Sequence, residues 1–272
     1  NINIMNDGGN SSMKIKNKIL GSFAALCILG ASSMPSLAGD TLKIAHYDQP
    51  AQLGMPYGTF GANGAYQLYA IFDGVTFVDD DKSVNPVLAT EWKNTSPTTW
   101  EVKLRKGVTF HNGVPWNADA FLGNVDAINN DPVVSKQQAR RQLATIISGK
   151  KIDDYTVELT TKVPDPVLPK RLHIMRPHEP KAWADLGPKG FARNPVGTGS
   201  FKIVEWGTDK VKATAFENSW RKPKLKNIEI SIIPEIATRV QALNSGQIHI
   251  AWALDTGSMP IVEGGGNKVV IS

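Results

Sequence analysis

Residues 100–119 read WEVKLRKGVTFHNGVPWNAD, and their periodicity decides the fold. Trp100, Val102 and Leu104 fall on one side of an extended chain, and Glu101, Lys103 and Arg105 on the other. A period of two residues is that of a half-buried β-strand. Arg105-Lys106-Gly107 turns the chain, Val108 and Phe110 resume an apolar face, and His111-Asn112-Gly113 turns it again. Asn117 is placed to cap a helix starting at Ala118, because its short amide can accept from the free N–H groups of the first turn. The cassette is therefore strand, turn, strand, turn, helix.

Outward from the cassette, Thr41 to His46 alternates as a first strand. Residues 47–64 are a loop rich in Gly, Pro, Gln and Tyr, and Ala65 to Phe72 reads as a helix stopped by Asp73-Gly74. Val75 to Val78 and the acidic turn Asp79-Asp80-Asp81 join two strands. Beyond the cassette, helices are predicted over 118–128 and 137–147, then a hairpin pairing 150–152 with 156–160. The prolines at 164, 166, 169, 177 and 180 exclude a regular helix over 163–180, which is expected to run extended. Ile228, Ile230 and Ile232 alternate as a strand, a helix follows over 235–243, and Ser245-Gly246 turns into Ile248-His249-Ile250.

The N-terminal region has the order of an export signal. Lys14, Lys16 and Lys18 precede an apolar run from Ile19 to Ala31, and Ser36-Leu37-Ala38 supplies small residues for cleavage. The run is shorter than the roughly 20 residues a spanning helix needs. Met13 reads as a start, and Gly39 as the first mature residue. The single cysteine, Cys27, lies in the apolar run behind Leu26, which is not the small residue a lipid anchor needs. A mature chain without thiols suits an oxidising compartment. The formal charge of +5 is dispersed, and Arg221 to Lys226 is the only basic tract, so nucleic acid is not an expected partner.

Four ordered stretches carry a family resemblance. Leu104-Arg105 through Gly107-Val108, Phe110-His111, Gly113 and Pro115 is similar to LRxGVxFHxGxP, and Pro86 to Trp92 to PxLAxxW. Val196 to Lys202 is similar to GTGPY/F-K with Ser200 in place of proline, and Phe216 to Leu225 to NPxYWxGxPxL. Together they resemble the family 5 extracellular solute-binding proteins, the dipeptide, oligopeptide and nickel receptors of bacterial ABC importers. Gln247 and His249 stand where that family commonly has acids.

The resemblance implies an α/β fold of the type II periplasmic binding protein kind, a mixed-sheet lobe with an inserted β-rich side domain. It divides the chain into upstream residues and signal (1–38), first part of the lobe (39–72), side domain (73–185) and second part of the lobe (186–255). Residues 256–272 would begin a crossing to a second lobe that is missing here, so this stretch alone is expected to bind solute weakly. It also implies a periplasmic receptor that captures a small peptide or peptide-like solute between lobes. Its partners would be an ABC permease and that permease's ATPases. The ligand-contacting segments carry over as 47–63, 173–176 and 252–254, giving Tyr47, Tyr57, Phe60, Asn63, Met175, Arg176 and Trp252 as candidates.

The alternative is a secreted periplasmic hydrolase, and its constellations are poor. Ser200 lacks a GxSxG frame, His173 and His178-Glu179 lack the helical i, i+4 spacing of a zinc site, and Gly264-Gly265-Gly266 lacks the frame of a phosphate loop. No catalytic residue, metal or cofactor is therefore expected. His111, Trp92, Trp100 and Trp116 are read as structural.

Overall fold

In the computed structural model, which describes residues 40–50, 52–58 and 67–270, strand β1 (Thr41–His46) is followed by the short pair β2 (Thr76–Val78) and β3 (Val84–Pro86). The expected signal region, Phe60 and Asn63 lie outside the described residues. Next come β4 (Ala89–Ser96), β5 (Thr99–Leu104), α1 (Ala118–Asn130), α2 (Gln138–Gln142), β6 (Ile146–Asp153) and β7 (Thr156–Thr161). The chain continues through α3 (Leu168–Arg171), α4 (Pro180–Arg193), β8 (Phe201–Trp206), β9 (Lys210–Ala215) and β10 (Asn227–Ile232). It closes with α5 (Ile236–Asn244), β11 (Ile250–Ala251) and α6 (Met259–Gly264).

Two larger sheets result. One has the order β11-β1-β10-β9-β8, with β1 parallel to both β10 and β11 and the β10-β9-β8 run antiparallel. The register runs from Thr41 opposite Asn227 to His46 opposite Ile232. The other sheet, β4-β5-β7-β6, is wholly antiparallel. In it Trp100 lies opposite Leu159 and Val102 opposite Val157, so the cassette's apolar face meets an equally apolar neighbour. Facing cross-strand pairs of this kind are the unit of sheet stabilisation. Helix α1 contributes Phe121, Val125 and Ile128 to the same core. Asn117 caps it, accepting from the Ala120 N–H at 3.0 Å.

Several local expectations need correction. The helix expected over 137–147 ends at Gln142, because β6 begins at Ile146, which pairs with Thr161 of β7. β-branched side chains suit the pleated surface, and the vacant β7 edge outweighs local helix propensity. Val108 and Phe110 are buried as expected, but in place of a strand there is only a bridge between Thr109 and Pro115. The helix expected over 65–72 is helical only at Gln67 and Leu68 among its described residues, and the chain then turns at 69–71.

The proline-rich stretch is extended only from Met175 to Glu179. Leu168–Arg171 forms one helical turn, and Pro169 is tolerated there because its missing N–H falls in the first turn. Helix α4 was not expected at all. Glu179 accepts from Lys181 N at 2.9 Å and Ala182 N at 2.8 Å, with Pro180 opening the helix. Gly187 takes a φ of 63° ahead of Pro188 and kinks it. The Glu-Pro cap was the available signal, hidden by the density of prolines around it.

The 196–202 stretch shows why glycine is needed. A Cβ on Gly197 would sit 2.2 Å from the Ile71 carbonyl oxygen, and one on Gly199 2.5 Å from that of Ala70. Backbone atoms cannot retreat as a side-chain tip can. Gly197→Ala is expected to lower stability by about 1–3 kcal/mol, the range for forced overpacking. Gly264→Ala, with open space around a helical backbone, is expected to leave stability unchanged or slightly raised. Urea unfolding of the two variants checks both; equal midpoints would contradict the packing argument.

Candidate functional site

The carboxyl ends of the parallel strands β1, β10 and β11 open into three loops, 47–50, 233–235 and 252–255. In open α/β sheets this edge is where ligands bind, since strand ends leave polar backbone and a crevice there. The loops are cross-linked by the backbone. The Ile233 N–H donates to the His46 carbonyl at 2.7 Å, and the Trp252 N–H to the Ala45 carbonyl at 3.0 Å. Arg239 of α5, 1% exposed, adds three charged donors. Its Nη1 donates to the carbonyls of Ile233 (2.6 Å) and Pro234 (2.7 Å), and its Nη2 to that of Ala253 (2.9 Å). The guanidinium lies 6.0 Å from the Tyr47 ring centroid.

Two of the expected ligand residues, Tyr47 and Trp252, are on these loops, and both are half-buried. Tyr47 stacks on His46 at 4.9 Å between centroids. Met175 and Arg176 are elsewhere, in the core under Tyr69, whose ring centroid is 4.8 Å from the Arg176 guanidinium. Tyr57 is fully buried and its hydroxyl donates to Asn124 Oδ1 at 2.5 Å. Asn124 in turn donates to the carbonyls of Ala120 and His178. Tyr57 and Met175 have no exposed surface and Arg176 2%, so the fold places these three in the core and not on the carboxyl-edge loops. Their place in a flat-looking, Tyr- and Pro-rich or proline-rich segment gave no hint of burial. Arg239 is the residue sequence reasoning passed over. In the sequence it stands within the helix expected over 235–243, with no ligand signal of its own.

The cassette's polar residues work as fasteners. His111 Nε2 donates to the Gly199 carbonyl at 3.1 Å, and its Nδ1 accepts from Gly197 N at 3.4 Å. This is the neutral Nε2–H tautomer, which satisfies both bonds. Burial holds its pKa down to about 4. Asn112 Nδ2 donates to Glu179 Oε2 at 2.9 Å, joining the cassette to the cap of α4. His178, buried against Trp183 (4.9 Å) and Phe191 (5.8 Å), is held down to about 3 by the same loss of water. His173 Nδ1 faces its own Lys170 carbonyl at 2.6 Å. Among the described residues no three His, Cys, Asp or Glu converge on a possible metal.

Residues 83–272 match the model of the bacterial extracellular solute-binding proteins, family 5 Middle. The chain belongs to that family. Among the relatives of this family 5 chain is the glutathione-binding protein GsiB of Pectobacterium atrosepticum, 29% identical over 202 residues, which are 71% of this chain and 38% of GsiB. The HTH-type transcriptional regulator SgrR of Escherichia coli K12 is 25% identical over 199 residues, 72% of this chain and 34% of SgrR. The family 5 chain thus spans well under half the length of either. NikZ from Campylobacter jejuni, solved in complex with Ni(L-His), superposes with a TM-score of 0.72 at 25% identity over 82% of this chain and 45% of NikZ. AppA from Bacillus subtilis, an oligopeptide-binding protein solved with a nonapeptide, shares the fold with a TM-score of 0.73 at 21% identity, over 83% of this chain and 46% of AppA. The fold is accordingly the mixed α/β fold of the type II periplasmic binding proteins.

The imidazoles of His111 and His178, held down by burial, make the stability of the family 5 chain depend on pH. Both have folded pKa values below the ordinary 6.5, so between about 4 and 6.5 the unfolded chain binds more protons than the folded one. Their contribution is complete above pH 6.5 and is lost as the pH falls, at up to about 1.4 kcal/mol per pH unit for each. Urea midpoints measured from pH 7.5 to 4.5 should decline in that window. His178→Phe, which keeps a ring against Trp183 and Phe191, should remove about half the slope. An unchanged slope would show that carboxylates and not these histidines set the acid limb.

Proposed function

We propose that this chain captures a small peptide-like solute for an ABC importer, through the loops at the carboxyl ends of β1, β10 and β11. The observation that carries the reading is that these three loops, held as one unit by backbone bonds and Arg239, present Tyr47 and Trp252 half-buried. Aromatic side chains with one face free supply area for a solute at low entropic cost. Membership of a family named for extracellular solute binding supports the reading, as do structural neighbours solved with a nonapeptide and with the peptide STSA.

Within this reading, residues 39–72 and 186–255 form the sheet lobe and 73–185 a side domain inserted into it. Phe60 and Asn63 remain ligand candidates on the sequence resemblance alone. Solute closes the receptor only as far as it binds the closed state better than the open one. The permease and its ATPases then receive the closed form. The basic, apolar and small-residue order of 14–38 supports export to the periplasm. The chemistry is binding without turnover.

A second reading, a solute-sensing module of a transcriptional regulator, has the SgrR relatives in its favour. One preparation separates the two. Protein isolated without denaturation from its own cells is unfolded, and the released small molecules are identified by mass spectrometry. Short peptides are expected in the released fraction, in small amount because this stretch alone is expected to bind weakly, with Trp252→Ala reducing that amount by at least tenfold. Solute-free protein that binds duplex DNA, or retained molecules that come out chemically altered, would overturn the importer reading. Cell fractionation gives a further check: cytoplasmic protein still carrying residues 14–38 would count against export.

A further inference from the structure

Arginine 239 is an expensive residue to bury. It is 1% exposed, its Nε has no partner, and Glu235 and Asp255, the carboxylates whose charge acts on it, do not come within ion-pair distance. A buried cation without a close counter-ion is unfavourable unless its donors are used. Its two terminal nitrogens are used entirely on main-chain carbonyls, two in the loop after β10 and one in the loop after β11. The third loop, after β1, is reached through the face of Tyr47. A helix residue thus touches every loop at the carboxyl edge of the parallel strands.

One of those carbonyls is unusual. Ala253 has a φ of 53°, a left-handed backbone that a residue with a Cβ seldom adopts. Trp252 immediately precedes it, and the Trp252 N–H is committed to Ala45. The Cα–Cβ direction of Trp252 is therefore set on one side by β1 and on the other by the left-handed turn whose carbonyl Arg239 holds.

We propose that Arg239 is a positioning residue for solute capture: by gripping Ile233, Pro234 and Ala253 it locks the Ala253 turn and so fixes Trp252 on the solute-facing edge. This rests on the reading that the carboxyl-edge loops receive the solute. Lysine cannot substitute, since one ammonium lacks the planar fork that spans two loops. The neutral Arg239→Met variant fills similar volume with no donors.

The seven tryptophans give a direct readout. The chain is labelled with 5-fluorotryptophan, and Trp252→Phe assigns the Trp252 fluorine resonance. In both Arg239→Met and Arg239→Lys, the Trp252 resonance is expected to shift and broaden while those of Trp92, Trp100, Trp116 and Trp183 stay in place. Adding Ala253→Gly to wild type should leave the Trp252 resonance sharp, because glycine suits a φ of 53° and keeps the carbonyl that Arg239 holds; a Trp252 resonance broadened by Ala253→Gly with Arg239 in place would also overturn the proposal. A Trp252 resonance that does not move in folded Arg239→Met overturns the proposal. So does loss of the whole fold in both variants, or movement of all the resonances together, since Arg239 would then be a general core residue. No solute is added, so failure here sinks the pin and leaves the receptor reading standing. Conversely, a moved Trp252 in a solute-free protein that binds duplex DNA sinks the receptor reading alone.

Discussion

Among the described residues the partners of strand β1 are β10 and β11, roughly two hundred residues on. Parallel pairing always requires a crossover, because the chain must return to the same end of the sheet. Here everything from 47 to 226 is accommodated between β1 and its partner. The six-residue register from Thr41–Asn227 to His46–Ile232 is therefore the constraint on which the remaining architecture depends. Closing so long a loop costs entropy that grows only slowly with its length. It still has to be offset by bonds made between the departing and returning chain.

Those bonds are concentrated where the chain leaves and comes back. Asp73, buried on the outgoing side, accepts from Thr198 Oγ1 at 3.0 Å and Trp220 Nε1 at 2.9 Å and is paired with Arg221, all on the returning side. Burial pushes the Asp73 carboxyl up from its ordinary range, opposed by the Arg221 guanidinium and the other two donors. A buried carboxylate stripped of such partners typically costs about 3–5 kcal/mol, which makes the knot strongly directional even if its net stabilisation is small. His111 repeats the device from the cassette, bonding to Gly197 and Gly199. Gly199 also donates its N–H to the Ile71 carbonyl at 2.9 Å, so three distant segments meet at one glycine-bearing turn.

The same logic, applied at the other end of the sheet, shapes the candidate site. Polar groups at the carboxyl ends of parallel strands have no further strand to bond, and a charged side chain from α5 takes up several of them. A loop held this way is preorganised, and an ordered loop loses less entropy when a solute arrives. Tyr47 and Trp252 owe their exposure to this arrangement, whereas Tyr57, from the same Tyr-bearing stretch, is consumed by the Asn124 network in the core.

What the sequence determined by itself were features with a short range. The alternation of Trp100, Val102 and Leu104, the Asn117 cap and the Ile228–Ile232 strand each depend on neighbours within one element, where periodicity and capping are decisive. The ordered motifs carried the family and hence the mixed-sheet fold. Only the tertiary structure decided where helix α2 stops, because the edge of β7 competes for Ile146, and which face of the 168–193 region becomes helical. It alone decided that Tyr57, Met175 and Arg176 are buried and that Arg239 reaches three loops. Burial and convergence depend on contacts between residues up to about two hundred positions apart, and no local pattern of residue types encodes that distance.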